Sequence, residues 1–266
     1  INIIIGPNWT PSSSALAPLV CSKSVVMFAI TVGGTDFAEK CDFTFNMWPA
    51  STFASEMQAK NVMAKGYKKI GLIGSQQSWE KEQYDVIKKT IEDSGAKLAV
   101  AEVVSAEEKD FRTLLVKMQK AGVDALILTN YTNEDIAAHQ AQQLGFKPQI
   151  FAIELDEVAI KDAQGGLEGA IGINSFLPGE EFSKKYSEKY GKTPDLGADS
   201  AYDIINLLAR AIKETGKTDP IALTDYLKSL KTYNGVSGQT TFNEHGQAER
   251  DPYFYQVVNG KTQILK

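Results

Sequence analysis

The residues of this chain best suited to chemistry are hydroxyls, backbone amides and carboxylates placed where strands end. The apolar run 1–5 is of the kind a strand buried on both faces shows; it stops at Gly6-Pro7, and Trp9 is followed by Thr10-Pro11-Ser12-Ser13. Those four residues are a helix-start sequence, with Thr10 expected as N-cap, Pro11 at the first helical position, where a missing N–H costs nothing, and serines in the first turn. The first N–H groups of such a helix have no internal partner, so a carboxylate or phosphate is favoured there. An ordinary capped helix that binds only water has the same sequence, and both readings stand at this point. Gly33-Gly34-Thr35 closes the next predicted strand; adjacent glycines let backbone approach a ligand, or simply make a tight turn. Trp79, Asn130-Tyr131, and Glu154 or Asp156 each follow a further predicted strand. The acids lie where ligands of open α/β sheets bind, although acids at a helix N-terminus also suit the macrodipole. Hydroxyl and amide donors in one group and acids in the other match a ligand carrying both a carboxylate and an amine.

Other chemistries lack their residues. No GxGxxG opens a helix and no GxxxxGK[ST] is present; Gly71 and Gly74 fall in and just after a strand and suit packing. The two histidines, His139 and His245, have no metal-ligand spacing, and there is no GxSxG elbow, so neither a cofactor nor a metal is expected. A hydrolase on this chain would depend on Glu154 or Asp156 alone as base, which makes an enzyme the less supported reading. Cys21 and Cys41 either pair, closing a loop worth about 3 kcal/mol in the chain-entropy model and indicating an oxidising compartment, or remain two buried thiols.

The elements that must hold these residues alternate. Helix 10–22 follows the first strand, and 25–30 and 43–47 are further short strands, the latter leading to Trp48-Pro49. From residue 52 helices and apolar strands alternate to about 173: helix 52–65, strand 69–73, helix 80–93, strand 98–104, a helix with Phe111, Leu114, Leu115 and Met118 on one face, strand 125–128, helix 133–144 and strand 149–153. Alternation with loops this short means βαβ units and a parallel sheet. After strand 169–174 come three helices without strands between them, 180–190, 198–215 and 219–230. The tail holds strands 239–242, 253–258 and 262–265, the last two joined at Asn259-Gly260, a hairpin signal.

Composition fits a soluble two-lobed α/β protein: 266 residues, 43% hydrophobic and 23% charged. The net charge of −5 and pI of about 5.3, without a basic block, argue against nucleic acid as partner. No apolar run reaches membrane-spanning length.

In order and spacing the chain resembles the solute-binding proteins of branched-chain amino acid ABC transporters, the leucine/isoleucine/valine-binding type with the type I periplasmic binding protein fold. The resemblance is carried by Ile3-Ile4-Ile5-Gly6-Pro7 with Thr10 and Pro18, the strand ending at residues 31–35, and Phe43-Thr44-Phe45. It continues through Tyr67-Lys68-Lys69-Ile70-Gly71-Leu72-Ile73, Lys109-Asp110-Phe111, Ala201-Tyr202-Asp203 and Phe242-Asn243-Glu244-His245-Gly246. It implies an α/β fold of two doubly wound lobes with parallel central sheets joined by three hinge crossovers, near 47–51, 174–178 and 243–246. Lobe 1 is then residues 1–48 with 177–244, and lobe 2 is residues 49–176 with 245–266. It also implies closure of the lobes on a small ligand in the cleft between them, docking on a membrane permease, and export to the periplasm or to the cell surface as a lipoprotein with the signal peptide removed. In such proteins a hydroxyl at the position of Thr10 and backbone at Gly33-Gly34-Thr35 hold the ligand carboxylate, and a tyrosine like Tyr131 lines the other wall. A ligand-sensing domain of a receptor or regulator shares this fold and is the alternative. Two departures stand out. Family members begin with a further strand–helix–strand–helix, so the chain is expected to be a mature or truncated product. Trp9 stands where smaller residues are common, and a large indole there favours a flat aromatic acid over an aliphatic amino acid.

Overall fold

The computed structural model describes residues 1–175 and 177–265. It divides into two compact units, residues 1–50 with 175–251 and residues 51–174 with 252–266.

Unit 1 opens with β1 (Ile3–Ile5), α1 (Thr10–Ser22), β2 (Val26–Ala29) and β3 (Thr44–Asn46), whose strands form a parallel sheet in the order β1-β2-β3. β2 lies in the middle and is buried on both faces: Val26 and Phe28 point into one cluster, Met27 and Ala29 into another. The first cluster is closed by α8 (Ala198–Thr215) and α9 (Pro220–Ser229) through Ile204, Leu208, Leu223 and Leu227, the second by α1 through Ala17 and Val20. β1 was expected to be buried on both sides; it is instead an edge strand among the described residues, and Ile5 is 37% exposed. Helix α7 (Glu180–Tyr190) buries no residue fully. β9 (Thr232–Gly235), β10 (Gly238–Phe242) and β11 (Ala248–Glu249) make a separate antiparallel sheet. Because residues 248–249 pair with β10, the chain leaves unit 1 for the last time at 251/252, later than the expected 244/245. Phe176, inside the expected crossover 174–178, lies outside the described residues.

Unit 2 follows the expected alternation: α2 (Ser51–Ala64), β4 (Ile70–Ser75), α3 (Ser78–Asp93), β5 (Leu98–Val104), α4 (Arg112–Ala121), β6 (Ala125–Thr129), α5 (Glu134–Gln143), β7 (Gln149–Ile153), α6 (Glu157–Asp162) and β8 (Ile171–Asn174). The tail returns as β12 (Tyr253–Val258) and β13 (Lys261–Ile264), antiparallel beside β8, giving a seven-stranded sheet in the order β13-β12-β8-β7-β6-β4-β5. The hairpin turn sits at Asn259-Gly260, both with left-handed backbone, as the pair predicts. Side chains alternate between the faces: Ile73, Leu126, Leu128 and Ala152 enter one core with Leu115 and Met118 of α4, while Leu72, Ile127, Phe151 and Ile153 enter the other with Ile87 and Ile91 of α3. Gly74 is glycine for space, since a Cβ there would come within 2.5 Å of the Tyr84 ring. The Gly71–Gly74 pair is thus packing, not a phosphate loop.

Candidate functional site

In unit 1 the two sequence-predicted groups lie past the carboxyl ends of neighbouring strands. β1 and β2 pair in parallel with Ile5 opposite Phe28, and the segments that follow are tied together: Gly6 N–H donates to the Phe28 carbonyl at 2.8 Å and the Thr31 hydroxyl donates to the Asn8 carbonyl. The helix start differs from expectation by one residue. Trp9 is the N-cap, in extended backbone, with its carbonyl accepting the Ser13 N–H at 2.9 Å and the Ser12 hydroxyl at 3.0 Å; Thr10 is the first helical residue and Pro11 the second. Thr10 is buried, 5% exposed. No acidic residue stands in the first turn of α1 to occupy its positive end. Gly33 and Gly34 are buried, Thr35 is exposed, and the Trp9 indole is 49% exposed.

In unit 2 the strands β7, β6 and β4 are neighbours, and Glu154 with Asp156, Tyr131, and Trp79 follow them in that order. Trp79 and Tyr131 meet with ring centroids 5.7 Å apart. The Tyr131 hydroxyl donates to Asp156 Oδ2 at 2.5 Å, and burial with the Asp156 charge beside it pushes the phenol far above its ordinary value, so it stays a donor. Asp156 caps α6, its Oδ1 accepting the Ala159 N–H at 2.7 Å. Both its oxygens are engaged within the unit, which fits the reading of an acid at a helix N-terminus. Glu154 is 6% exposed and has φ of +62°, a left-handed backbone that a non-glycine residue adopts at a cost of order 1–3 kcal/mol. Its N–H donates to the Ile173 carbonyl at 3.0 Å, fixing it between β7 and β8.

Two buried acids join this set unforeseen. Glu80 of α3 accepts the Thr132 N–H at 2.9 Å, and the Thr132 hydroxyl, on Oε1; burial raises its carboxyl, opposed by the Ser75 and Thr132 hydrogen bonds. Glu134 begins α5, fully buried, and neither oxygen has a hydrogen-bond partner among the described residues. Burial first, then the charges of Asp156 and Glu80, push its carboxyl well above the ordinary range. Glu80 was legible in principle, because it falls on the helical stripe of Tyr84, Ile87 and Ile91. Nothing distinguishes Glu134 in sequence from a solvated acid at a helix start. Among the described residues no group of three or more His, Cys, Asp or Glu side chains could hold a metal ion.

A carboxyl whose folded pKa is raised binds its proton more tightly when folded, so it costs stability as pH rises above its unfolded value near 4.5. Glu134→Gln is therefore expected to raise the urea midpoint of unit 2 at pH 7.5 relative to the parent while leaving it nearly unchanged at pH 4.5. An equal effect at both values would contradict the buried-carboxyl assignment.

The family described as "Periplasmic binding protein" matches residues 1–262. The leucine-, isoleucine-, valine-, threonine-, and alanine-binding protein of Pseudomonas aeruginosa is 26% identical over 188 residues, covering 67% of this chain and 50% of that protein. The chain spans about half the length of the curated relatives it matches. Among solved structures, the leucine binding protein LivK of Thermotoga maritima superposes with a TM-score of 0.90 at 21% identity, over 100% of this chain and 79% of that one. A solute binding protein from Rhodopseudomonas palustris, in complex with 3,4-dihydroxy benzoic acid, does so with a TM-score of 0.87 at 20% identity, over 98% and 76%. With the family model matching residues 1–262, and the α/β fold shared with the solved structures, the chain belongs to the periplasmic binding protein family.

Proposed function

We propose that this chain captures a small carboxylate-bearing solute for an ABC importer, and that the solute is an amino acid. The observation that carries the reading is the start of α1: the buried residue Thr10, N–H groups outside the helical ladder and no acid in the first turn, with the buried Gly33-Gly34 and the exposed Thr35 past the neighbouring strand. There the ligand carboxylate is held. Its amine goes to Glu154, with Trp79 and Tyr131 supplying the wall and Asp156 fixing the Tyr131 hydroxyl. Capture is completed by the two units closing on the ligand, and the closed form docks on a membrane permease. The Cys21–Cys41 disulfide suits an oxidising compartment, which supports the periplasm or the outer cell surface as its place of work.

The exposed Trp9 indole, one residue before Thr10, favours a second reading in which the solute is an aromatic acid stacked on that ring. Native mass spectrometry of freshly purified protein, followed by calorimetric titration with leucine, isoleucine and 3,4-dihydroxybenzoate, separates the two. Amino acids binding more tightly than the benzoate supports the first reading and the reverse order the second. Failure of every small carboxylate at millimolar concentration would remove both.

A further inference from the structure

Asn46, the last residue of β3, is fully buried and uses its whole amide. Its Nδ2 donates to the Val32 carbonyl at 2.7 Å and to Gln247 Oε1 at 3.1 Å, and its Oδ1 accepts the Trp48 N–H at 3.2 Å. Its own N–H donates to the Gly246 carbonyl at 3.1 Å. Gln247, 5% exposed, donates through Nε2 to the carbonyls of Trp48 and Ala248. The approach depends on Gly246, which has φ of +85° and lies so close to Phe45 that a Cβ would come within 2.5 Å of that ring. Arg250 extends the set, with Nη2 donating to the Met47 carbonyl at 3.2 Å, Nη1 to Asp199 at 3.0 Å and Nε to the Thr240 hydroxyl at 2.8 Å.

The three places this network ties together are far apart in sequence. Val32 leads directly into Gly33-Gly34-Thr35. Trp48 precedes the passage out of unit 1 at 50/51, and Gln247 and Arg250 precede the passage at 251/252. Buried amides with their hydrogen bonds made are rigid, because moving any member leaves a polar group unpaired out of water. We propose that Asn46 and Gln247 are positioning residues for solute capture, coupling the ligand loop to two of the segments that connect the units so that loop and connections shift as one body. This rests on the function proposed above for the loop, but the coupling itself can be read without any ligand.

The test is Gln247→Met, which keeps the side-chain volume and removes the amide, with Asn46→Leu as a second variant. Amide hydrogen exchange is followed by mass spectrometry on the ligand-free full chain, and Kd is measured with leucine and with 3,4-dihydroxybenzoate. In Gln247→Met, exchange at 29–35 and at 48–50 is expected to quicken together by roughly tenfold, and Kd for whichever probe the parent binds to weaken by about tenfold, with unit 2 exchange unchanged. Quickening confined to 243–250, with 29–35 as slow as in the parent, would overturn the proposal, as would an unchanged Kd. If the parent binds neither probe, the exchange result alone decides the coupling, and the proposed function is decided separately by the wider carboxylate titration. Should Asn46→Leu fail to fold, Gln247→Met alone decides it.

Discussion

Replacing Cys21 and Cys41 together by serine is expected to lower the unfolding free energy of unit 1 by about 3 kcal/mol. The bond joins the last turn of α1 to the segment before β3, with Cα atoms 6.0 Å apart and a sequence separation of 20. Its stabilisation comes chiefly from the conformational freedom that a cross-linked loop of that length denies the unfolded chain. The three short strands of the parallel sheet in unit 1, one an exposed edge, leave this unit more dependent on such a staple than unit 2 with its seven-stranded sheet. Urea unfolding with and without reductant is the check. Reductant should shift the parent by the same amount as the double substitution and leave the variant unmoved, and the transition of unit 2, which contains no cysteine, should stay in place. A variant as stable as the oxidised parent would show that the loop is already held by packing.

Thr10→Val is expected to weaken solute binding by roughly 1–3 kcal/mol, about five- to 150-fold in Kd. Valine has nearly the same shape and the same β-branching, and Thr10 makes no helix cap, so the start of α1 is kept by Trp9, Pro11 and Ser12. On the function proposed for the start of α1, the substitution would remove one donor to a ligand carboxylate oxygen, and the expected cost is that of leaving that oxygen underpaired. Calorimetry gives the number, and an unchanged melting temperature assigns it to binding. A Kd within twofold of the parent would place the carboxylate elsewhere.

The alternation of strand and helix through unit 2 is legible because the central parallel strands β4, β6, β7 and β8 are apolar runs buried on both faces and helices such as α3, with Tyr84, Ile87 and Ile91, show one apolar stripe. Pairing is less legible. Nothing in Ile3-Ile4-Ile5 says that the strand lies at an edge, and Thr232-Tyr233-Asn234-Gly235 has no alternation to mark it as β9, since it is specified by its partner β10. The helix start at Thr10 was displaced by one position because a Thr-Pro pair signals a cap, while the backbone lets the Trp9 carbonyl take the first bond. At the candidate site, strand ends pointed to the candidate residues. Their partners, such as Tyr131 on Asp156 or Thr132 on Glu80, depend on which strands are neighbours, and that is a tertiary fact.

The most direct measurement is a titration of ¹⁵N-labelled protein with leucine, followed by amide chemical shifts. The largest changes are expected at Thr10, Ser12, Gly33, Gly34 and Thr35, with a second group at Tyr131 and Glu154. Changes confined to another surface, such as the aromatic groove of Phe182, Tyr186 and Tyr202, with the amides at the start of α1 unmoved at saturation, would contradict carboxylate binding at that helix start.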